Sequence, residues 1–142
     1  YLYIYLQNPT FLTRYDQYIR LTRGGCMFAE DYEALAQAND NFRKVLFTGP
    51  HSQVVAMCLR PGEDIGEEVH EDGDQIFLIT EGSGEIQIDD EVHIAAEDSL
   101  AVVPAGNRHN VTNTSQTDLK FITFYAPPEH PDGTVHKTKP ES

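Results

Sequence analysis

Short runs in which apolar and polar residues alternate follow one another along most of the chain. From residue 44 onwards, about nine such segments are rich in Val, Ile, Phe, Thr and Leu, which predicts β-strands. They lie near residues 44–48, 52–60, 66–70, 75–80, 84–89, 91–94, 99–103, 108–113 and 118–126. Turn signals such as EGSG, PAGN and NTSQTD separate them. Many short strands with turns between them predict a single all-β domain, either a sandwich or a barrel.

One stretch has helical rather than strand periodicity. In FAEDYEALAQAND the residues at helical spacing are Phe28, Tyr32, Leu35 and Ala36, so we predict a short helix there. The chain then divides into an N-terminal extension (1–26), a helical lead-in (27–43), a barrel (44–126) and a proline-rich C-terminal arm (127–142).

The N-terminal extension differs in charge from the rest of the chain. Its three arginines and one aspartate give +2, whereas the other 116 residues carry seven basic and 22 acidic groups and give −15. One hypothesis is that natural translation starts at Met27 and that residues 1–26 are not native. The rival hypothesis is a genuine arm, in which YLYIYL adds as a strand to a sheet edge. We favour the first, and an intact mass from the native host tests it.

The whole chain is strongly acidic. It carries 23 acidic and ten basic side chains, a net charge of −13, and no run rich in lysine or arginine. Phosphate backbones and anionic lipids bind basic surfaces, so neither nucleic acid nor a membrane is an expected partner. The longest strongly apolar stretches reach five or six residues, far short of the roughly 20 that span a bilayer.

The two cysteines, Cys26 and Cys58, are too few for a disulfide framework. Cys58 lies in the apolar stretch VVAMCL and is predicted to be a small buried hydrophobe. A soluble protein in the cytoplasm is the simplest expectation.

Polar side chains cluster on three of the predicted strands. Residues two apart in a strand share a face, so Glu68 and His70 point the same way. After the turn EDGD, a hairpin can bring Gln75 beside His70. A third strand, reached through VPAGNRHNVTN, can supply His109. These four side chains can therefore face one another.

The same residues carry a family resemblance. PGEDIGEEVHEDGDQIFLITEG resembles the first motif of the cupins, and PAGNRHNVTN resembles the second. The motif positions here are Glu68, His70, Gln75 and Gly82 in the first, and Pro104, Gly106, His109 and Asn113 in the second. The tail YAPPEHPDGTVHKTK is similar to that of small single-domain cupins described as resembling mannose-6-phosphate isomerase. The resemblance implies a double-stranded β-helix, or jelly-roll barrel, with a metal site.

Two positions depart from the usual cupin pattern. Glu68 replaces the first histidine and Gln75 replaces the glutamate, so the carboxylate has in effect changed places. Cupins with glutamine at this position bind metal, among them enzymes acting on unsaturated uronates and aromatic-ring cyclases, and the Glu-x-His variant resembles ureidoglycine aminohydrolases. The resemblance therefore implies that Glu68, His70, Gln75 and His109 bind one divalent transition metal: Zn, Ni, Fe, Co or Mn.

The expected chemistry follows from this ligand set. Because only Glu68 is anionic, a divalent ion would keep a charge near +1, which favours an anionic or oxygen-chelating small molecule such as a hydroxyacid, ketose, uronate or enediol. We predict a Lewis-acid enzyme of isomerase or tautomerase type acting on a sugar-derived or hydroxy-carbonyl metabolite. The alternatives are an iron-dependent dioxygenase, a non-catalytic cupin that binds sugars or organic acids, and a polar hairpin that binds no metal.

Other histidines and arginines receive weaker assignments. His93 is predicted to face outward on its strand and His51 to lie in a surface turn. The C-terminal arm, which contains His130 and His136, is either packed on the barrel or forms a lid that brings His130 or Tyr125 to the site. Arg60 and Arg108 are candidate anion clamps, with surface salt bridges as the alternative.

Apolar residues also occupy the opposite faces of two strands. These residues are Ile76, Leu78, Ile122 and Phe124. Cupins commonly dimerise through such faces, so the resemblance implies a homodimer.

Overall fold

The computed structural model describes residues 20–22 and 25–141. Of the described residues, 20–22 and 25–30 belong to one compact unit and 31–141 belong to another. In the first unit, β1 (Arg20–Thr22) pairs antiparallel with β2 (Gly25–Met27). The strand predicted in YLYIYL lies outside the described residues.

The second unit begins with the predicted short helix, α1 (Tyr32–Gln37). The carboxylate of Asp31 accepts a hydrogen bond from the Ala34 amide at 3.0 Å and caps the first turn. Leu35 and Ala36 are buried, as their spacing predicts, whereas Phe28 lies outside the helix. The described part of the chain contains no helix long and apolar enough to cross a membrane.

Nine strands follow the helix in the described part of the second unit. They are β3 (Arg43–Thr48), β4 (Gln53–Leu59), β5 (Asp74–Glu81), β6 (Ser83–Ile88), β7 (Glu91–Ala96), β8 (Leu100–Val103), β9 (His109–Thr112), β10 (Leu119–Ala126) and β11 (Val135–His136). Six form one sheet in the order β11-β3-β4-β10-β5-β8, and three form a second in the order β7-β6-β9. All named pairs are antiparallel. The predicted all-β class with one short helix is confirmed.

The core lies on the inward faces of the strands. Burial alternates along β5, where Gln75, Phe77 and Ile79 are buried and the residues between them are only partly covered. Phe121 on β10 pairs with Met57 on one side and with Ile79 on the other, which continues the apolar layer across the sheet. Phe77 and Phe121 then pack edge to face at 5.8 Å.

The turn from β5 to β6 requires a glycine. Gly82 has φ of +84°, and a Cβ at this position would collide with the Asp118 carbonyl. The motif glycine therefore lets the chain leave one sheet and enter the other.

The strand predicted at 66–70 is wrong. In the structure this region makes only isolated bridges, Asp64 with Thr112 and Glu68 with His109. Gly66 has φ of +92°, and its amide donates to the Asp64 carboxylate at 2.6 Å, so a local turn replaces extended backbone.

Cys58 is 2% exposed, in agreement with its predicted role as a buried hydrophobe. The outer face of β10 is partly covered, because Ile122 is buried with Ala36 of α1 and Ala56 of β4. Along β8, in contrast, Leu100 and Val102 remain exposed.

Candidate metal centre

Glu68, His70, Gln75 and His109 converge inside the barrel although they come from three different segments. His109 begins β9 and Gln75 is the second residue of β5, while Glu68 and His70 lie on the loop that precedes β5. Glu68 reaches the site through a backbone bridge to His109, in which each amide donates to the carbonyl of the other at 2.9 Å. The predicted strand was expected to direct Glu68 towards the other candidate ligands, and this bridge places Glu68 there instead.

The two sequence motifs are joined by a second backbone contact. The amide of Gly106 donates to the His70 carbonyl at 2.9 Å, and Gly106 itself has φ of +84°. The turn that leads into β9 therefore also holds the loop that carries His70. Asn113, the last residue of the second motif, donates through its side chain to the Leu59 carbonyl at 2.9 Å and thus supports the fold.

Gln75 directs its amide oxygen at both imidazoles. Its Nε2 donates to the Thr123 hydroxyl at 3.1 Å, which sets the orientation of the amide. Its Oε1 then lies 2.7 Å from His109 Nε2 and 3.0 Å from His70 Nε2. Gln75 and His109 are both fully buried.

Glu68 contributes one carboxylate oxygen to the same cluster. Its Oε2 lies 3.3 Å from His70 Nε2 and 3.9 Å from His109 Nε2. This oxygen is buried and accepts no hydrogen bond. The ligand atoms that Glu68, His70 and His109 offer all lie within 4.8 Å of one another.

The outer nitrogens of both imidazoles face acceptors. His109 Nδ1 lies 3.1 Å from the Asn107 carbonyl, and His70 Nδ1 lies 3.6 Å from a Glu129 carboxylate oxygen. When Nε2 of each neutral imidazole ligates a metal ion, the ring proton lies on Nδ1, where these oxygens face it.

Four potential ligand atoms face one another: two imidazole nitrogens, one amide oxygen and one carboxylate oxygen. A cation between them would be bound by all four. Metal bonds of roughly 2.1 Å at right angles place neighbouring ligand atoms roughly 3 Å apart. Separations of 2.7, 3.0 and 3.3 Å are close to that spacing, and Glu68 Oε2 lies somewhat farther, 3.9 Å, from His109 Nε2, so these residues fit a borderline divalent ion.

The two histidines have pKa shifts of opposite direction. The neighbouring Glu68 carboxylate raises the pKa of His70, whereas burial lowers the pKa of His109. The difference arises because Glu68 lies closer to His70 and because His109 is almost inaccessible to water. A divalent ion therefore competes with a proton mainly at His70.

Aromatic rings enclose the centre. Tyr125 meets His70 edge to face at 5.6 Å, and His130 meets Tyr125 in the same way at 5.0 Å. Gln53 fixes the arm beneath His130, since its Oε1 accepts from the His130 amide at 3.0 Å and its Nε2 donates to the His130 carbonyl at 2.7 Å. The arm thus packs on the barrel and places His130 one ring away from His70.

Burial controls the protonation of these two aromatic residues. It raises the pKa of the Tyr125 hydroxyl far above its usual range, and it lowers the pKa of His130 to about 4, with Arg43 as the next cause. At neutral pH, Tyr125 is therefore a hydrogen-bond donor and His130 is uncharged.

A cleft of about 220 Å³ opens next to His70. Its lining comprises Val69, His70, Glu71, Asp72, Gly73, Asp74, Tyr125, Pro127 and Glu129. Four of these nine residues are acidic and none is Lys or Arg, so this entrance disfavours anions. Of the four candidate ligands, His70 alone lines this cleft.

The remaining candidates lie apart from the cluster. Arg60 pairs with Asp118, while Arg108 pairs with Asp90 at 3.4 Å and with Glu67 at 3.8 Å, so both form surface salt bridges. His93 is exposed and contacts Glu91, and His51 is exposed in its turn.

Arg43 also lies at the cluster, although the motifs do not indicate it. This arginine is 7% exposed, and its Nη2 lies 3.6 Å from Glu68 Oε1. The signal was present in the sequence, because Arg43 shares a strand face with the apolar Val45. Thr123 and Glu129, the supports of Gln75 and His70, carried no comparable signal.

The comparisons with known proteins agree with the geometry. A model of the cupin domain matches residues 55–125. The uncharacterized protein YrkC of Bacillus subtilis strain 168 is 43% identical over 121 residues, which are 81% of this chain and 65% of YrkC. The crystal structure of BH2720 from Bacillus halodurans aligns with a TM-score of 0.79 at 39% identity, covering 84% of this chain and 96% of that one.

A more distant structure shows the same architecture. A Klebsiella pneumoniae protein with a double-stranded β-helix domain aligns with a TM-score of 0.60 at 20% identity, covering 88% of this chain and 96% of that one. The double-stranded β-helix expected from the motifs is confirmed, and so is the resemblance that carried it. From the matched model, the motif residues and the shared fold together, this chain belongs to the cupin family.

Proposed function

We propose that the protein is a metal-dependent enzyme of isomerase or tautomerase type, acting on a small, uncharged sugar or hydroxy-carbonyl metabolite. The observation that carries this proposal is the convergence of four potential ligand atoms from Glu68, His70, Gln75 and His109, with the buried Glu68 Oε2 among them. These residues would hold a divalent ion of the Zn, Ni, Fe, Co or Mn group. When bound, such an ion supplies Lewis acidity towards a carbonyl or hydroxyl oxygen.

The cleft residues provide the rest of the proposed chemistry. Tyr125 lines the cleft with a protonated hydroxyl beside His70, so it can donate a hydrogen bond to a substrate oxygen. Glu129 lines the same cleft and lies 3.6 Å from His70 Nδ1, and we assign it the role of accepting a proton from substrate. Moving a proton between neighbouring carbons of a hydroxy-carbonyl compound needs one such donor and one such acceptor.

The acidic entrance narrows the substrate class. Glu71, Asp72 and Asp74 accompany Glu129 around the cleft, and four carboxylates repel an anionic substrate. The residual positive charge of the ion favours a substrate that binds through two oxygens, and the acidic cleft favours a substrate that carries no negative charge. A neutral ketose or hydroxyketone satisfies both conditions better than a uronate.

Metal content is the first test. We would measure it by elemental analysis in the wild type, in His109→Ala and in His93→Ala, all purified without a histidine tag and before and after incubation with Mn, Fe, Co, Ni or Zn. We expect near-stoichiometric metal in the wild type and in His93→Ala, the exposed control, and its loss in His109→Ala. A wild type that stays empty with all five metals overturns the proposal.

Turnover separates the enzyme from its alternatives. Neutral ketoses and hydroxyketones would be assayed beside uronates, with calorimetric binding of the same compounds. Isomerisation of neutral compounds supports the proposal. Tight binding without turnover makes the protein a sugar- or acid-binding cupin, and oxygen uptake with iron makes it a dioxygenase.

We also propose that the protein forms a homodimer. Leu100 and Val102 on β8 are 65% and 51% exposed, and they pair with Leu78 and Ile76 on the neighbouring strand. These four residues form a continuous apolar strip at the edge of the six-stranded sheet. Covering this strip with a second copy would remove it from water.

A further inference from the structure

Arg43 is a buried charge beside the candidate metal centre. It begins β3 and is only 7% exposed, although burying a guanidinium without a partner is costly. On the side of the centre its partner is Glu68, with 3.6 Å between Arg43 Nη2 and Glu68 Oε1. Arg43 also stacks over the Phe42 ring, 5.4 Å from its centroid.

The two oxygens of Glu68 have different neighbours. Oε1 faces Arg43, whereas Oε2 faces the Nε2 atoms of His70 and His109. The backbone of Glu68 is held by its bridge to His109, but that bridge does not fix rotation of the carboxylate. Arg43 is the cation that faces the carboxylate oxygen turned away from the cluster.

We propose that Arg43 is a positioning residue for the metal centre: it holds Glu68 so that Oε2 alone is presented to the ion. Arg43 itself touches neither ion nor substrate. The inference rests on the proposed metal-dependent function and deepens it by assigning the orientation of the single anionic ligand to a residue outside the ligand set.

The C-terminal arm holds Arg43 in turn. His136 on β11 pairs with Arg43 on β3, and its Nδ1 lies 3.4 Å from Arg43 Nη1. Backbone bonds continue this attachment, from the Phe42 amide to the Lys137 carbonyl at 3.2 Å and from the Val45 amide to the Thr134 carbonyl at 2.9 Å. The arm therefore supports the centre through Arg43, in addition to its contact at Tyr125.

Two effects compete when Arg43 is replaced by a neutral residue. The carboxylate of Glu68 loses its fixed orientation, which weakens metal binding. A positive charge near the ion is also lost, which by itself tightens binding. We expect orientation to dominate, because residues that orient metal ligands typically change affinity by about 10- to 100-fold when mutated.

Cobalt binding tests the proposal with two readouts, the dissociation constant and the visible spectrum of the bound ion. We expect Arg43→Gln to lose about tenfold or more in Co²⁺ affinity and to shift the spectrum towards that of Glu68→Ala. Arg43→Lys keeps the charge but loses the planar guanidinium, so its Co²⁺ affinity and spectrum should lie between those of the wild type and Arg43→Gln. In the Glu68→Ala background, Arg43→Gln should no longer weaken Co²⁺ binding or shift the spectrum.

Control variants test whether weaker binding arises from the loss of any arginine or from a failure to fold. Arg60→Gln removes an exposed, paired arginine and should bind Co²⁺ as the wild type does. If Arg43→Gln does not fold, as judged by the melting temperature of the metal-free protein, Arg43→Lys and His136→Ala carry the test, and both should weaken binding. If the wild type binds Co²⁺ and Arg43→Gln binds it equally well or more tightly, this inference is overturned and the proposed function is not. A wild type that binds no Co²⁺ or any other ion overturns the proposed function together with it.

Discussion

The side-chain amide of Gln75 donates to the Thr123 hydroxyl at 3.1 Å, and this bond turns its oxygen towards His70 and His109. Gln75→Glu would keep the shape of the side chain and add a second carboxylate to the ligand set. Because Thr123 can donate instead of accept, the orienting bond survives the change.

We expect Gln75→Glu to tighten binding of Zn²⁺ or Co²⁺ by about tenfold or more, which corresponds to about 1.4 kcal/mol. The reason is the added negative charge next to a divalent ion. Competition against a chromophoric chelator measures the affinity. Gln87→Glu, on the exposed face of β6, is the control and should leave the affinity unchanged. Weaker binding by Gln75→Glu would contradict the assignment of this side chain as a ligand.

The lowered pKa of His130 predicts that the stability of the protein depends on pH. Burial, followed by the positive charge of Arg43, lowers its pKa to about 4, whereas an unfolded histidine titrates near 6.5. Between these values the unfolded chain binds more protons at this residue than the folded chain does, so its contribution to stability falls as the pH drops from about 6.5 to 4.

Urea unfolding at pH 7, 5.5 and 4.5 in the presence of EDTA measures this effect. We expect His130→Gln to lose less stability over that range than the wild type. His51→Gln changes an exposed histidine and should follow the wild type. Parallel pH profiles for His130→Gln and the wild type would show that His130 titrates normally. The pKa of His70 is raised, so its contribution to stability increases as the pH falls. This opposite contribution is the same in all three proteins.

Phe77 links the core to the candidate metal centre. It is fully buried and packs against Phe121 at 5.8 Å and against the His109 ring at 5.9 Å. We expect Phe77→Ala to lower the free energy of unfolding by about 3–5 kcal/mol, because it deletes a buried ring and leaves a cavity. Urea unfolding of metal-free protein measures the loss. Val92→Ala, at a 59% exposed site, should change stability by less than about 0.5 kcal/mol. Equal effects of the two substitutions would place Phe77 outside the core.

The proposed homodimer makes a separate prediction. The wild type should sediment at twice its 16.0 kDa chain mass, and Leu100→Glu with Val102→Glu should sediment as a monomer. Placing carboxylates in a buried apolar contact is unfavourable. Ile94→Glu, at an 80% exposed site on β7, is the control and should remain dimeric. A wild type that sediments as a monomer removes the dimer proposal.

Local pattern determined most of the strands and the identity of the clustered side chains. Alternation along β5 already places Gln75, Phe77 and Ile79 on one face, because the direction of a side chain in a strand depends only on its position in the pleat. The short helix follows equally from local spacing and from the Asp31 cap. Strand periodicity and the spacing of the motif residues together indicate Glu68, His70, Gln75 and His109.

Tertiary structure alone decided how these side chains meet. The segment around Glu68 reads as a strand, yet Gly66 turns the chain and a single bridge to His109 brings Glu68 into place. The partners that orient the cluster are remote in sequence: Thr123 lies 48 residues from Gln75, and the arm that holds Arg43 lies 93 residues from it. The periodicity of apolar residues predicts on which face of its own strand or helix a side chain lies. Which distant residue it meets depends on sheet order and register, and these are set by the packing of the whole barrel.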